Sequence, residues 1–205
     1  NTVNTTIRSA AAAEKKKKTA DKAIKQNHTS DLHNASGTVY FCDGACQTNP
    51  GPSGAGVSLY QNGKLSNLYY GSYTEDGSNN IGELEAMIYC LESVKKNAPF
   101  HAIIYADSAY AINSITNWAN SWSKNGWVLQ NKKPVKNKEL IEKGFLLYQD
   151  LIGTVEIRKV KAHINEEGNE LADRMAILAS NKKQLNWVEL NEFDISSVLG
   201  IEHKK

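Results

Sequence analysis

The sequence is poor in cysteine, in long apolar runs and in net charge, and each shortage excludes a class of protein. It has three cysteines, an odd number with no cluster of His and Cys around them, which argues against a disulfide framework and a zinc site. No apolar stretch is long enough to span a bilayer. The net charge of +2 is too small to indicate nucleic-acid binding, so any such case depends on local patches. The 205 residues are enough for one domain with a real core and a tail.

The two ends of the chain carry little pattern of their own. Residues 1–36 have no sustained apolar period and contain the basic block Lys15–Lys18, so we expect a flexible basic tail or linker. Residues 182–205 hold several apolar side chains, which either pack on the domain or form a partner site. No signal-peptide pattern opens the chain and free thiols suit a reducing compartment. We therefore expect an intracellular protein, cytoplasmic or, in a eukaryote, nuclear or mitochondrial. The lack of an initial Met indicates a fragment or a processed form.

Between these ends, apolar periodicity predicts an α/β domain over residues 37–181. Strands are predicted at residues 38–45, 54–62, 65–73, 102–105 and 155–160, and helices at 80–97, 108–125, 137–151 and 168–181. The Asn62-Gly63 pair is a strong hairpin signal between the second and third strands. A hairpin meander combined with βαβ crossovers predicts a mixed five-stranded sheet with helices on both faces.

Four acidic residues occupy conspicuous positions in this pattern. Asp43 directly follows an apolar run, Asp107 ends the fourth strand, and Glu83 and Asp173 lie on helices. A carboxylate is costly to bury unless it is paired or binds a metal. If the four converge, they form an all-oxygen site suited to Mg²⁺ or Mn²⁺, and a pair of such ions suits in-line displacement at phosphorus. The alternative is that each acid is solvated near a turn.

Five segments carry motifs that are very specific when taken together. They read FCDGACQTNPGPSGAG, NNIGELEA, YADSAYAINSITNWANSWSKNGW, KKPVKNKEL and VKAHINEEGNELAD. In order and spacing they resemble the type 1 ribonuclease H family, whose members cleave the RNA strand of an RNA–DNA hybrid. The resemblance covers about residues 38–181 and implies the ribonuclease H-like fold and a two-metal hydrolysis that leaves 5′-phosphate and 3′-hydroxyl ends. It implies two Mg²⁺ ions, with Mn²⁺ as an alternative, bound by Asp43, Glu83, Asp107 and Asp173, with His163 assisting proton transfer or product departure.

The resemblance also implies a hybrid-binding surface. The positions that match minor-groove contacts are Cys46, Asn49, Asn79 and Asn80. The positions that match the pocket for a DNA phosphate are Ser78 and Asn137. The positions that match the basic protrusion are Trp118, Trp122, Lys124, Trp127, Lys132 and Lys133. Two departures put contacts in question: Asp76 stands where well-known members have an arginine in the phosphate pocket, and Ala109 stands where a Gln is common.

Three functions stay open on the sequence. The first is a free-standing, monomeric ribonuclease H that acts on hybrids in replication or R-loop removal, with no membrane partner. The second is the ribonuclease domain of a retroelement polyprotein. The third is a hybrid-binding module with an inactive site, against which the four ordered acids argue. Taken singly, His163 is also compatible with an ordinary loop histidine, the tryptophans with a core, and the lysines with a solvated face.

Overall fold

A computed structural model describes residues 37–160 and 166–203 of the chain. In chain order the elements are β1 (Thr38–Cys46), β2 (Gly51–Gln61), β3 (Lys64–Gly77), α1 (Asn79–Asn97), β4 (Ala102–Ala106), α2 (Ala109–Asn113), a π-helical turn (Ser114–Trp118), α3 (Ala119–Lys124), α4 (Lys138–Asp150), β5 (Val155–Lys159), α5 (Glu167–Lys182), β6 (Val188–Glu189) and α6 (Ile195–Leu199). The predicted tail at residues 1–36 and the predicted catalytic His163 lie outside the described residues. None of the helices in the two described ranges combines the length and apolarity needed to cross a membrane.

The strands form one mixed sheet, as predicted, in the order β5-β4-β1-β2-β3-β6. Strand β1 runs parallel to β4, and β4 runs parallel to β5, while β2 runs antiparallel to both of its neighbours, β1 and β3. The prediction of five strands is one short. Strand β6 pairs with β3 through Tyr69 and Tyr70 but is only two residues long, so it shows no alternation that periodicity can detect.

Helices cover both faces of this sheet, as predicted. In β1, Tyr40 and Cys42 face one apolar cluster and Phe41 faces the opposite side, and all three are buried. The first face packs against α1, whose buried side chains include Leu84 and Met87, and α4 packs on α1 and adds Ile141 to the same apolar cluster. The second face packs against α5, through Leu171 and Met175. A central strand covered on both faces is expected to read as a continuous apolar run, which is what β1 shows.

Helix α5 lies directly on the backbone of β2. A Cβ atom added at Gly56 would lie 2.1 Å from the carbonyl oxygen of Ala172, so only glycine permits this approach. The hydroxyl of Ser58 donates a hydrogen bond to the carbonyl of Gly168 at 2.8 Å. These contacts fix the helix that carries Asp173 against the centre of the sheet.

Two predicted boundaries are wrong in an informative way. Strand β3 continues to Gly77, beyond the predicted end at residue 73, because Thr74 pairs with Ser53 and Gly77 pairs with Gly51 across register shifts. The helix predicted over residues 108–125 is interrupted by the π-helical turn at Ser114–Trp118. A wider turn adds one residue to the hydrogen-bond ladder, so a fixed period of 3.6 residues does not reveal it.

The segment after α5 packs on the domain. Trp187 stacks on Tyr89, with ring centroids 4.0 Å apart and planes 21° apart. Val198 of α6 is buried, and Ile201 packs against the apolar cluster that contains Ala45. Of the two alternatives for residues 182–205, the described part therefore adopts packing on the domain.

Candidate active site

Two neighbouring parallel strands bring Asp43 and Asp107 to the same edge of the sheet. The register of the two strands pairs Cys42 with Ala106, and in each case the next residue is an aspartate, Asp43 or Asp107. Oδ1 of Asp43 accepts the backbone N–H of Gly44 at 2.7 Å. Burial, followed by the charges of Asp107 and Asp173, raises the pKa of Asp43 well above its usual value. The carboxylates therefore repel one another in a partly desolvated place, and the Gly44 N–H offsets only part of this effect.

Helix α1 places Glu83 beside this pair through close backbone contact. A Cβ atom added at Gly44 would lie 2.2 Å from the backbone nitrogen of Glu83, so a side chain there would push α1 away from β1. The hydroxyl of Ser108 donates a short hydrogen bond to Oε2 of Glu83. The same hydroxyl accepts the N–H of Ala111 at 3.1 Å and so caps α2. Burial raises the pKa of Glu83, and the Ser108 hydrogen bond partly opposes the rise.

The four predicted carboxylates line one cavity of about 470 Å³. Its lining side chains, beside the backbone of Gly44 and Ala45, are Asp43, Glu83, Asp107, Asp173, Cys46, Asn79, Asn169, Glu170, Arg174 and His203. Asp173, on α5, is 3.3 Å from its neighbour Arg174, measured from Oδ2 to the nearer guanidinium nitrogen. The structure thus brings together the acid quartet and two of the residues predicted to contact the minor groove.

The sequence reasoning missed four side chains of this lining. Asn169 and Glu170 precede Asp173 by one helical turn, so helical spacing from Asp173 is a signal that finds both. Arg174 is adjacent to Asp173 and is found in the same way. His203 follows α6 and has no local signal at all, because only the folding of the C-terminal segment brings it to the cavity.

The oxygen donors of the cavity are suited to a hard cation, although the four carboxylates do not meet around one point. Within residues 37–160 and 166–203, no group of three or more His, Cys, Asp or Glu side chains forms a ready-made metal site. The four carboxylates share a cavity without converging on one point. Asn169 adds a further oxygen: the residue is only 7% exposed, and its Oδ1 has no hydrogen-bond partner among the described residues. Carboxylate and amide oxygens are ligands that Mg²⁺ accepts, so the residues fit such an ion.

Comparison with known proteins agrees with the motifs that surround this cavity. The sequence model of the RNase H family matches residues 34–181. The chain belongs to the ribonuclease H family. Ribonuclease H of Rickettsia massiliae (strain Mtu5) is 39% identical over 140 residues, which are 68% of this chain and 88% of that protein. Ribonuclease H of Maricaulis maris (strain MCS10) is 41% identical over 134 residues, 65% of this chain and 87% of that protein.

Solved ribonuclease H structures share the fold at lower identity. LC9-RNase H1, described as a type 1 RNase H with the type 2 active-site motif, gives a TM-score of 0.63 at 20% identity and covers 82% of this chain and 86% of its own. The PFV RNase H domain gives a TM-score of 0.60 at 22% identity, covering 71% of this chain and 94% of its own. These structures confirm the fold, while the family model and the curated relatives confirm the family and the identity as a ribonuclease H enzyme. The family is generally metal-dependent.

The two residues predicted for a phosphate pocket of this ribonuclease H have local structural tasks. Ser78 caps α1, its Oγ accepting the N–H of Ile81 at 3.3 Å. Asn137 has a left-handed backbone with φ of 55° and donates a side-chain hydrogen bond to the hydroxyl of Tyr110 at 3.2 Å. Asp76, the predicted departure in this pocket, is exposed.

The other predicted contact residues are exposed. Asn49 and Asn80 lie at the surface, and neither lines the cavity.

The predicted protrusion has an aromatic base and a charged surface. Trp118 and Trp122 pack together with ring centroids 5.6 Å apart, and Trp127 is buried and donates its backbone N–H to Trp122 at 2.7 Å. Lys124 and the pair Lys132 and Lys133 are exposed and have no ion pair within the described residues. The tryptophans hold the protrusion together, and these lysines remain available to an anionic ligand.

Proposed function

We propose that this ribonuclease H hydrolyses the RNA strand of RNA–DNA hybrids with two divalent cations, Mg²⁺ or in its place Mn²⁺, and leaves 5′-phosphate and 3′-hydroxyl ends. The observation that carries the proposal is the single cavity lined by the four carboxylates of the quartet. Two of them come from adjacent strands and two from helices on opposite faces, so the fold itself maintains the arrangement.

A divalent cation would relieve the main cost of this arrangement. The raised pKa of Asp43 reflects burial and the negative charge of its neighbours, both of which a bound cation offsets. The unpartnered Oδ1 of Asn169 offers a neutral oxygen in the same cavity. When bound, the cations would supply an activated water and stabilise the leaving oxygen.

The side chains around the cavity then have distinct tasks. Asp43 and Asp107 are held by parallel strands and provide the fixed part of the site. Ser108 orients the Glu83 carboxylate through its hydrogen bond, which limits the rotamers that this longer side chain samples. His163, on the strength of its motif, assists proton transfer or product departure.

Recognition of the hybrid would begin beside the cavity. Cys46 and Asn79 line it, and an RNA strand presents 2′-hydroxyl groups that distinguish it from DNA. The thiol of Cys46 donates to the carbonyl of Thr48 at 2.8 Å, which orders the turn that carries Asn49. The exposed lysines of the protrusion, Lys124, Lys132 and Lys133, would meet phosphates farther along the duplex.

The test is cleavage of an end-labelled RNA–DNA hybrid by the full chain, with Mg²⁺ and with a chelator. Duplexes of RNA–RNA and DNA–DNA with the same sequence serve as controls, and end analysis of the products reports the chemistry. We expect Mg²⁺-dependent cleavage of the RNA strand of the hybrid alone, with 5′-phosphate ends. Binding of the hybrid without any cleavage would instead support the inactive-module alternative, and equal cleavage of all three duplexes would contradict the proposed substrate.

A further inference from the structure

The C-terminal segment brings His203 to the rim of the carboxylate cavity. Its side chain is exposed and lines the cavity with Asp173 and Arg174 of α5. No motif of the family accounts for it, because it lies beyond the matched residues 34–181. A residue that reaches a catalytic cavity from outside the family's own segment is a candidate for a role particular to this chain.

The position of His203 is set by an anchored backbone. Ile201 packs on Ala45, Ala176 and Ile177, so it rests on the strand that carries Asp43 and on the helix that carries Asp173. Asn181 donates its side-chain amide N–H to the carbonyl of Glu202 at 2.7 Å.

The start of the same segment is anchored as well. Asp194 caps α6 by accepting the N–H of Ser197 at 3.0 Å, and Val198 is only 3% exposed. The backbone is therefore held on the domain by Val198 within α6 and by Ile201 and Glu202 immediately before His203.

The chemistry of the lining gives this imidazole a task. Five of the lining side chains are acids, so the cavity as a whole repels a phosphodiester. Among the residues that the structure describes, only Arg174 and His203 bring basic nitrogens to the lining. The Arg174 guanidinium lies 3.3 Å from Asp173 and its Nε is buried without a hydrogen-bond partner among the described residues. The His203 ring is exposed, and the described residues give its nitrogens no hydrogen bond. An unengaged N–H donor at the rim of an acidic cavity is suited to a phosphate oxygen.

We propose that His203 is a further substrate-binding residue, whose imidazole donates a hydrogen bond to a phosphate of the RNA strand at the carboxylate cavity. The proposal rests on the proposed function above. It predicts a contribution to binding and not to the chemical step, since His203 lies on the rim and the quartet carries the reaction. It assigns the C-terminal segment a part in substrate recognition beyond its packing on the domain.

The experiment compares the full chain with His203→Ala, with His203→Gln, which keeps an N–H donor, and with Glu202→Ala as the matched control. Glu202 is exposed and contributes only its backbone carbonyl to the anchor, so the control leaves the anchor intact. Steady-state cleavage of a hybrid gives kcat and KM, and metal-free titration of the same hybrid gives Kd. A thermal melt of each variant reports folding.

For His203→Ala we expect KM and the metal-free Kd to rise by about 3- to 10-fold, the scale of one typical hydrogen bond, with kcat changed by less than about twofold. His203→Gln should recover most of the affinity, and Glu202→Ala should match the unchanged chain.

Three results would overturn the inference: an unchanged KM and Kd in His203→Ala, an equal loss in Glu202→Ala, or tighter binding in His203→Ala, which would make the segment a cover over the cavity. If the unchanged chain cleaves the hybrid but His203→Ala behaves identically, only this inference fails. If the unchanged chain neither cleaves nor binds the hybrid, the proposed function fails and the role of His203 falls with it.

Discussion

Removing three exposed lysines from the protrusion should flatten the salt dependence of hybrid binding without slowing the reaction. The change is the triple substitution of Lys124, Lys132 and Lys133 by Ala. All three side chains are exposed, and no ion pair holds any of them within the described residues. They are therefore free to neutralise phosphates and release counterions.

The magnitude follows from the number of phosphates that are neutralised. Each contributes about 0.9 to the slope of log K against log salt, so three lysines should lower the slope by about 2.7. Over a fourfold rise in salt, the affinity advantage of the unchanged chain should then shrink by about 40-fold. The single-turnover rate at saturating hybrid should stay near that of the unchanged chain, because the acid quartet is intact.

The matched control removes three other lysines with the same change in net charge. Lys95 and Lys96 lie in the last turn of α1, about 24 Å along that helix from Asn79, which lines the cavity. Lys64 begins β3 at the hairpin, remote from Asp43 along β1. The assay is a fluorescence-anisotropy titration of a labelled hybrid at several salt concentrations without metal. Equal slopes for the two triple variants would refute the assignment of the protrusion lysines to phosphate contact.

Three further substitutions test the packing that supports the site. Gly56→Ala should lower the free energy of unfolding by about 1–3 kcal/mol, because the added Cβ would meet the backbone of α5. The control is Gly200→Ala, which should change it little because the nearest non-neighbour atom to its Cβ would be 3.5 Å away. Urea unfolding compares the two variants. Trp187→Ala should cost roughly 1–3 kcal/mol by loss of its stacked ring, and the exposed Leu185→Ala less than about 0.5 kcal/mol, measured in the same way. Ser108→Ala should lower the free energy of unfolding by about 1 kcal/mol through loss of the α2 cap, and it should also lower kcat because Glu83 loses its hydrogen bond. A Ser108→Thr variant that fails to recover kcat would contradict the orienting role.

Sequence reasoning succeeds where one short stretch contains the whole cause. The run Tyr40–Cys42 is buried on both sides of the sheet, so its apolar character alone predicts a central strand that leads into Asp43. The hairpin signal is equally local: Asn62 and Gly63 have φ of 51° and 77°, the positive values that a tight two-residue turn requires. The quartet could be predicted because each of its members lies in such a motif.

Sequence reasoning fails where the cause is a contact between distant parts of the chain. The two residues of β6 become a strand only because the edge of β3 is there to pair with them. The orphaned oxygen of Asn169 depends on burial that the rest of the fold imposes. His203 reaches the cavity because Ile201 packs against apolar side chains of β1 and α5. No periodicity in the C-terminal segment predicts that contact.

Mutation of the quartet one residue at a time tests the central claim most directly. Asp43→Asn and Asp107→Asn each remove one negative charge from the cavity with little change of shape. The control is Asp150→Asn, an exposed acid paired with Lys95 at the end of α4. The measurement is the Mg²⁺-dependent single-turnover rate on a labelled hybrid, together with metal-free affinity for the same hybrid.

We expect Asp43→Asn and Asp107→Asn to abolish cleavage, because each loses part of the oxygen cluster that would bind the cations. Metal-free binding should be kept or strengthened, since repulsion of phosphate falls. Asp150→Asn should cleave as the unchanged chain does. Near-normal turnover by either quartet variant would contradict the claim that this cavity carries out the hydrolysis.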